Sequence, residues 1–249
     1  MYNKRQNIGE KDEVLCIRKL LESDNRELIN IFGYEASDGI KLIDPSSKEV
    51  INDIQSIRKA STKCKSDIYI KFNATERTIG ISIKSFTGRP PSILNHTWRS
   101  KFIKNHYINE YIPQIDTVIK KYIMKRSNDS GECIMLNDIE FTDNERNSLI
   151  KILVYFMFFG TAKLGKSEST ADAILTWRNG EIINYTLCNT EETKIKYIEN
   201  KWDKFEISLR TKGINPNNIT KSDEPWIFNY KCDENTIKRK GGLHIRLKY

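Results

Sequence analysis

The sequence predicts a mixed protein, α/β or α+β, whose second half is the more β-rich. Three patterns carry that expectation. Apolar residues recur at helical spacing near the start of the chain and twice in its middle. Two neighbouring segments, 67–73 and 78–86, have the composition and alternation of paired strands. Beyond Gly160 the apolar segments are short and strand-like, as in Glu181–Leu187 and Leu243–Leu247.

Taken in chain order, residues 10–23 read as a first helix, with Val14, Ile17 and Leu21 on one face after Gly9. Asn73-Ala74-Thr75-Glu76-Arg77 joins the two strands into a hairpin, which Gly88-Arg89-Pro90-Pro91 ends, because proline cannot donate to a ladder. A helix is expected from Pro113, with Ile115, Val118, Ile119, Tyr122 and Ile123 as its buried stripe. Ser127-Asn128-Asp129-Ser130-Gly131, polar and rich in turn formers, marks an internal boundary. It separates residues 1–126 from residues 127–249, unless the two parts pack as one unit. Thr142 and Glu145 have capping-box spacing, which starts a helix running to Gly160.

The composition narrows the function classes. With 38% apolar and 10% aromatic residues in 249, the chain can build a core and is not a disordered tail. Forty-one Lys and Arg against 33 Asp and Glu give a net charge of +8 and a pI near 9.1, which suits a polyanionic partner. The last twelve residues hold Lys238, Arg239, Lys240, Arg246 and Lys248 and no acid. The five cysteines, at 16, 64, 133, 188 and 232, are scattered and odd in number, unlike a disulfide framework or a zinc site. Met1-Tyr2-Asn3-Lys4-Arg5-Gln6-Asn7 lacks the apolar stretch of a signal peptide, and the run Ile152–Phe159 is too short to span a bilayer. The expectation is a soluble protein of a reducing cytoplasm, with no membrane partner.

The sharpest chemical signal lies on the hairpin. Ile79, Ile81 and Ile83 point to one face of their strand, so Gly80, Ser82 and Lys84 share the other. The glycine leaves room for a ligand beside the serine and the lysine, and Asp67 opens the partner strand. Many metal-dependent nucleases place an Asp on one strand and acid-x-Lys on the next. The carboxylates hold Mg²⁺ against the scissile phosphate, and the lysine positions water and offsets phosphate charge. Asp67 and Lys84 fit two of these roles, while Ser82 stands where the second acid usually does. An amphipathic hairpin with a solvated lysine has the same spacing, so spacing alone leaves both readings open.

The segment Ser82-Ile83-Lys84-Ser85-Phe86-Thr87-Gly88-Arg89-Pro90-Pro91-Ser92-Ile93-Leu94-Asn95 resembles the S-I-K-S-x-x-G-x-P-x-T-L-L-N block of HpaII-type restriction endonucleases, members of the PD-(D/E)XK nuclease superfamily. Gly165–Trp177, with Ala171-Asp172 inside it, is similar to a G-x-G-(D)…W stretch of related four-base cutters. Arg239-Lys240-Gly241-Gly242 is similar to their C-terminal R-K-G-G segment, and the three blocks keep the same order. The resemblance implies a mixed-sheet nuclease core and Mg²⁺-dependent cleavage of double-stranded DNA at a short palindromic site. It also implies 5′-phosphate ends, a bacterial cytoplasm and a cognate DNA methyltransferase as functional partner. Asp67, Ser82 and Lys84 become the catalytic set. Asp67, the backbone carbonyl of Ile83 and an acid of the first helix become the metal donors, with Glu13 the first candidate and Glu10 the second. Residues 1–126 would then form the catalytic part and 127–249 the DNA-recognition part, in a monomer or a dimer.

The candidate DNA contacts are Arg89, Asn95, Thr97, Lys163, Lys166, Arg239, Lys240, Gly241 and Gly242. Basic side chains meet phosphates or guanine edges, and glycines allow close backbone approach. Two rivals stand beside the nuclease. A basic DNA-binding protein with a decayed site is kept open by Ser82. A nucleotide hydrolase is raised by Gly160-Thr161-Ala162-Lys163-Leu164-Gly165-Lys166-Ser167, which matches the P-loop pattern G-x-x-x-x-G-K-[ST]. A true P-loop follows a buried strand and opens a helix. The capping box at Thr142 instead predicts a helix before Gly160, and the lysines read better as a basic loop against phosphate.

Overall fold

Alternating isoleucines build the first sheet. Ile68 and Ile70 in β2 (Ile68–Phe72) and Ile79, Ile81 and Ile83 in β3 (Thr78–Ser85) are buried on one core, with Ile68 opposite Ile81 and Ile70 opposite Ile79. The structure, a computed structural model, describes residues 8–128, 133–161, 165–211, 219–231 and 237–249. The chain forms two compact units, Met1–Pro91 with Ser167–Lys194 and Ser92–Lys166 with Ile195–Tyr249.

In the first unit β1 (Ile40–Ile43), β2, β3, β8 (Ala173–Arg178) and β9 (Glu181–Leu187) lie in the order β1-β2-β3-β8-β9. Only the β3–β8 pair is parallel; the others are antiparallel, so the sheet is mixed. Helices α1 (Ile8–Glu22) and α2 (Asn25–Phe32) bring Cys16, Ile17, Leu20, Leu28 and Phe32 to the core. Asp24 starts α2 by accepting the Glu27 N–H at 2.8 Å, and Gly33 ends it in a left-handed conformation (φ 81°). The buried line of α1 is Asp12, Cys16, Ile17 and Leu20, whereas Val14 and Leu21 of the expected stripe are only partly buried. The helix is turned because Asp12 faces inward and accepts a hydrogen bond from Ser85 Oγ.

The second unit carries an antiparallel sheet, β4 (Ser92–Thr97), β13 (Gly242–Leu247), β10 (Phe205–Arg210) and β5 (Ile134–Met135), in that order. Its helices include α3 (Arg99–Ile103), α4 (Ile112–Asn128) and α5 (Asp143–Val154). Along α4 the expected stripe is buried at Ile115, Val118, Ile119 and Tyr122. Both capping-box bonds of α5 form: Glu145 N–H to Thr142 Oγ1 at 3.3 Å and Thr142 N–H to Glu145 Oε2 at 2.8 Å. The helix widens to a π-turn over Tyr155–Phe159 and stops at Gly160, where a Cβ would press on the Gly165 carbonyl and the Tyr155 hydroxyl. Two short ribbons, β6 (Gly160–Thr161) with β7 (Gly165–Lys166) and β11 (Phe228–Lys231) with β12 (Ile237–Lys240), complete the strands described. Helix α6 (Glu191–Glu199) runs through the point where the chain passes from one unit to the other.

The division expected at 126/127 therefore falls inside the second unit. Parallel strands need a long crossover, and the whole segment Ser92–Lys166 forms it, so the first unit regains β8 and β9 well after residue 127. The P-loop reading fails on the same connectivity. The residues before Gly160 are helical, β7 gives way to a loop and then to β8, and Ser167 Oγ donates to the Lys63 carbonyl at 2.8 Å. Among the described residues no helix is long and apolar enough to cross a membrane.

Candidate active site

Asp67 extends the β2–β3 ladder past the end of β2. Its N–H donates to the Ile81 carbonyl at 2.8 Å, and its carboxylate then takes over from the missing strand backbone. Oδ2 accepts the Ile83 N–H at 2.6 Å and the Ser82 hydroxyl at 3.3 Å. Lys84 Nζ donates to Ser82 Oγ at 2.5 Å. A continuous chain thus runs from Lys84 through Ser82 to Asp67. Ser82 is buried, while Asp67 and Lys84 are half-buried. The serine standing in place of an acid links the lysine to the aspartate.

Glu13 reaches this cluster from α1. Its carboxyl is pushed up to about 8, first by burial and then by the negative charge of Asp67, against the opposing charges of Lys84 and Lys59. Glu10, the second helix candidate, is ion-paired with Lys59. The bond from Ser85 to Asp12 fixes the rotation of α1 and so determines which acid turns toward Asp67.

Glu13, half-buried and acted on by the charge of Asp67, makes with it a pair of carboxyl groups that suits a divalent cation. The Ile83 N–H and the Ser82 hydroxyl both bond Asp67 Oδ2, which leaves Oδ1 for it. Among the described residues no group of three or more His, Cys, Asp or Glu side chains gathers at metal-binding spacing. The residues present therefore fit an oxygen-seeking ion that takes further oxygens from water and substrate, as Mg²⁺ does, and do not fit a closed protein cage.

Gly80 serves a different purpose from the one expected. A Cβ there would meet the Thr170 carbonyl and the Ser66 hydroxyl, so protein atoms fill the room beside Ser82. Ser66 Oγ donates to the Thr170 carbonyl at 2.5 Å, and Asp172 clamps Gly80 with its backbone N–H at 2.6 Å and its Oδ2 at 3.1 Å. Asp172, inside the Gly165–Trp177 block, thus fastens β8 to β3.

Lys65 is the residue that sequence reasoning missed. It is half-buried two positions before Asp67, and its amine is pushed down to about 7 by burial first and the Lys84 charge second, with Asp67 opposing. The Lys-x-Asp spacing was visible, but an irregular segment gives no periodicity to say where the lysine points.

Of the expected DNA contacts, Arg89, Asn95, Lys166 and Arg239 are exposed. Thr97, Lys240, Gly241 and Gly242 are buried. A Cβ on Gly242 would lie 3.4 Å from both the Arg210 carbonyl and His96 Cα, an ordinary packing distance among protein strands. Lys163 lies outside the described residues.

No protein-family model matches the chain, and no curated protein matches it. A search of solved structures found the restriction endonuclease MspI in complex with its cognate DNA, at 13% identity and a TM-score of 0.34, over 93% of this chain and 83% of that one.

Proposed function

We propose that this chain is a Mg²⁺-dependent endonuclease of restriction type, which hydrolyses double-stranded DNA at a short palindromic sequence of four base pairs. The observation that carries the reading is the convergence of Glu13, Asp67 and Lys84 at the end of β2 and β3. Glu13 and Asp67 are the metal donors, together with the carbonyl of Ile83. Mg²⁺ bound there supplies Lewis acidity toward the phosphate and its attacking water.

The chain's own groups account for the rest. Lys84, held by Ser82, orients the water for in-line attack and offsets charge on the phosphorus oxygens. Water oxygen bonds to phosphorus as the bond to the 3′ oxygen breaks; the attacking water gives up a proton to solvent and the 3′ oxygen takes one from solvent, leaving 5′-phosphate and 3′-hydroxyl ends. Ser82 keeps Lys84 near Asp67 without adding a third negative charge. The net charge of +8 draws the duplex in, and Arg89, Asn95, Lys166 and Arg239 are the exposed contacts. Base readout falls to residues after 127. Such an enzyme works in a bacterial cytoplasm beside a methyltransferase that protects the same sequence.

A DNA-binding protein without cleavage is the second reading, favoured by Ser82 in the acid position. Incubating supercoiled plasmid with the protein in Mg²⁺ or in EDTA separates the two. Linear fragments only with Mg²⁺, absent for Lys84→Ala, are expected. Retarded but uncut plasmid would establish the binding protein instead.

A further inference from the structure

We propose that Arg246 is a base-reading residue of this protein, presenting its guanidinium to a guanine edge of the bound duplex, and that the buried His244 holds it in position. The inference rests on the nuclease reading for its duplex and deepens it by naming a residue that sets sequence preference.

Leu243, Ile245 and Leu247 of β13 are buried in the core, so His244 and Arg246 share the opposite face of the sheet. In register, His244 stands opposite Ser208 of β10, and Arg246 stands between Glu206 of β10 and Ser92 of β4. Arg246 Nε donates to His244 Nε2 at 2.8 Å, and Ser92 Oγ lies 3.5 Å from the same nitrogen. A neutral imidazole that accepts at Nε2 carries its proton on Nδ1. Burial first, then the charges of His96, Arg246 and Arg210, keeps the ring uncharged near pH 7, so the acceptor persists there.

Holding this ring in place is costly. Among the described residues His244 Nδ1 is buried and has no hydrogen-bond partner. The pairing of β4 with β13 shifts register on both sides of Ile245. Within that irregular stretch His96 takes a left-handed backbone (φ 48°) and sets its ring 4.8 Å from that of His244. Strain of this kind persists where a geometry has a task.

Arg246 is half-buried and is not committed to an acid, because Glu206 beside it bonds Lys248 at 2.7 Å. Among the described residues its one hydrogen bond runs from Nε to His244, and Nη1 and Nη2 stay open to a ligand. Those two nitrogens form the end-on fork that matches O6 and N7 of guanine. A phosphate needs only a charge on a flexible stem, whereas a guanidinium locked by a buried partner is aimed. Ser92 is exposed opposite the arginine and Asn95 is exposed in the irregular stretch, which adds hydroxyl and amide groups suited to base edges.

The test is selection from a pool of duplexes with a randomised centre, bound in Ca²⁺ and sequenced, with wild type, Arg246→Lys, Arg246→Gln, His244→Leu and His244→Gln. Affinity for the pool across a salt series and its cleavage in Mg²⁺ are measured alongside, and thermal melting checks that each variant is folded. Wild type is expected to select a short sequence that contains G·C pairs. Arg246→Lys keeps the charge and the salt slope, and is expected to lose discrimination at one G·C position by about 10-fold or more. His244→Leu should show that loss at the same position. His244→Gln, whose side-chain carbonyl can accept from Nε, should restore part of it, a rescue that a merely space-filling histidine would not produce. Folded Arg246→Lys and Arg246→Gln that select the wild-type sequence undiminished overturn the inference, even if Arg246→Gln lowers the salt slope by about 1, the mark of a phosphate contact. Undiminished preference in a folded His244→Leu overturns the positioning role. In either case sequence-specific cutting by wild type leaves the nuclease reading standing. If wild type neither binds nor cuts the pool, both fall together.

Discussion

Replacing Asp67 separates the structural work of its carboxylate from its chemistry. Oδ2 accepts the Ile83 N–H at 2.6 Å, and Ile83 is 3% exposed, so water cannot readily take over. Asp67→Ala leaves that donor without an acceptor and removes the end of the Lys84–Ser82 chain. A buried donor left unsatisfied costs about 1–3 kcal/mol, and the lost acceptor here is an acid side chain, at the stronger end for such bonds. Relief of repulsion with Glu13 offsets little at pH 7, because a carboxyl at about 8 is already mostly protonated there. Asp67→Asn keeps an oxygen for the Ile83 N–H and is expected to cost less than about 1 kcal/mol. The assay is urea unfolding at pH 7 in EDTA, followed by tryptophan fluorescence, with plasmid cleavage in Mg²⁺ measured beside it. Both variants should fail to cut, and only Asp67→Ala should lose the larger stability. Equal stability of Asp67→Ala and wild type would refute the ladder argument. Full cleavage by Asp67→Asn would refute the metal-binding role.

Two further outcomes follow from packing and charge. Gly80→Ala places a methyl group against the Thr170 carbonyl and Ser66 Oγ and 3.1 Å from the Tyr69 ring, and should destabilise by about 1–3 kcal/mol, read as a lower urea midpoint. His244, 3% exposed, is held down to about 3 by burial first and then by His96, Arg246 and Arg210, with Glu206 opposing. The unfolded chain binds its proton from about pH 6.5 downward while the folded chain does not, so stability falls as pH drops from 6.5 toward 3. Between pH 7.5 and 5 this residue should remove about 2 kcal/mol, and His244→Gln should flatten that part of the stability profile.

Local pattern carried much of this fold into view, and distance along the chain hid the rest. The hairpin of 68–72 and 78–85, the α4 stripe and the Thr142 capping box are all written within a few residues, where side-chain period and hydrogen-bond reach are local. The parallel β3–β8 pair is not, because nothing in either strand says that the other lies beyond a whole inserted segment. The two-unit division was missed for that reason. Asp67 and Lys84 stood out by spacing, and the structure brings Glu13 to them. Which helix acid turned inward depended on the Asp12–Ser85 bond, which no periodicity reveals. Gly80 shows the reverse error: the space read there as room for a ligand is one that neighbouring backbone and side-chain atoms occupy.

Mapping the ends of digested DNA tests whether cleavage is sequence-specific and metal-dependent. Phage DNA of known sequence is incubated with the protein in Mg²⁺, and the fragment termini are sequenced and their phosphates located. Discrete termini are expected at every copy of one short palindrome, each with a 5′-phosphate, and none in EDTA or with Lys84→Ala. Intact DNA in Mg²⁺, or termini scattered without regard to sequence, would contradict this expectation.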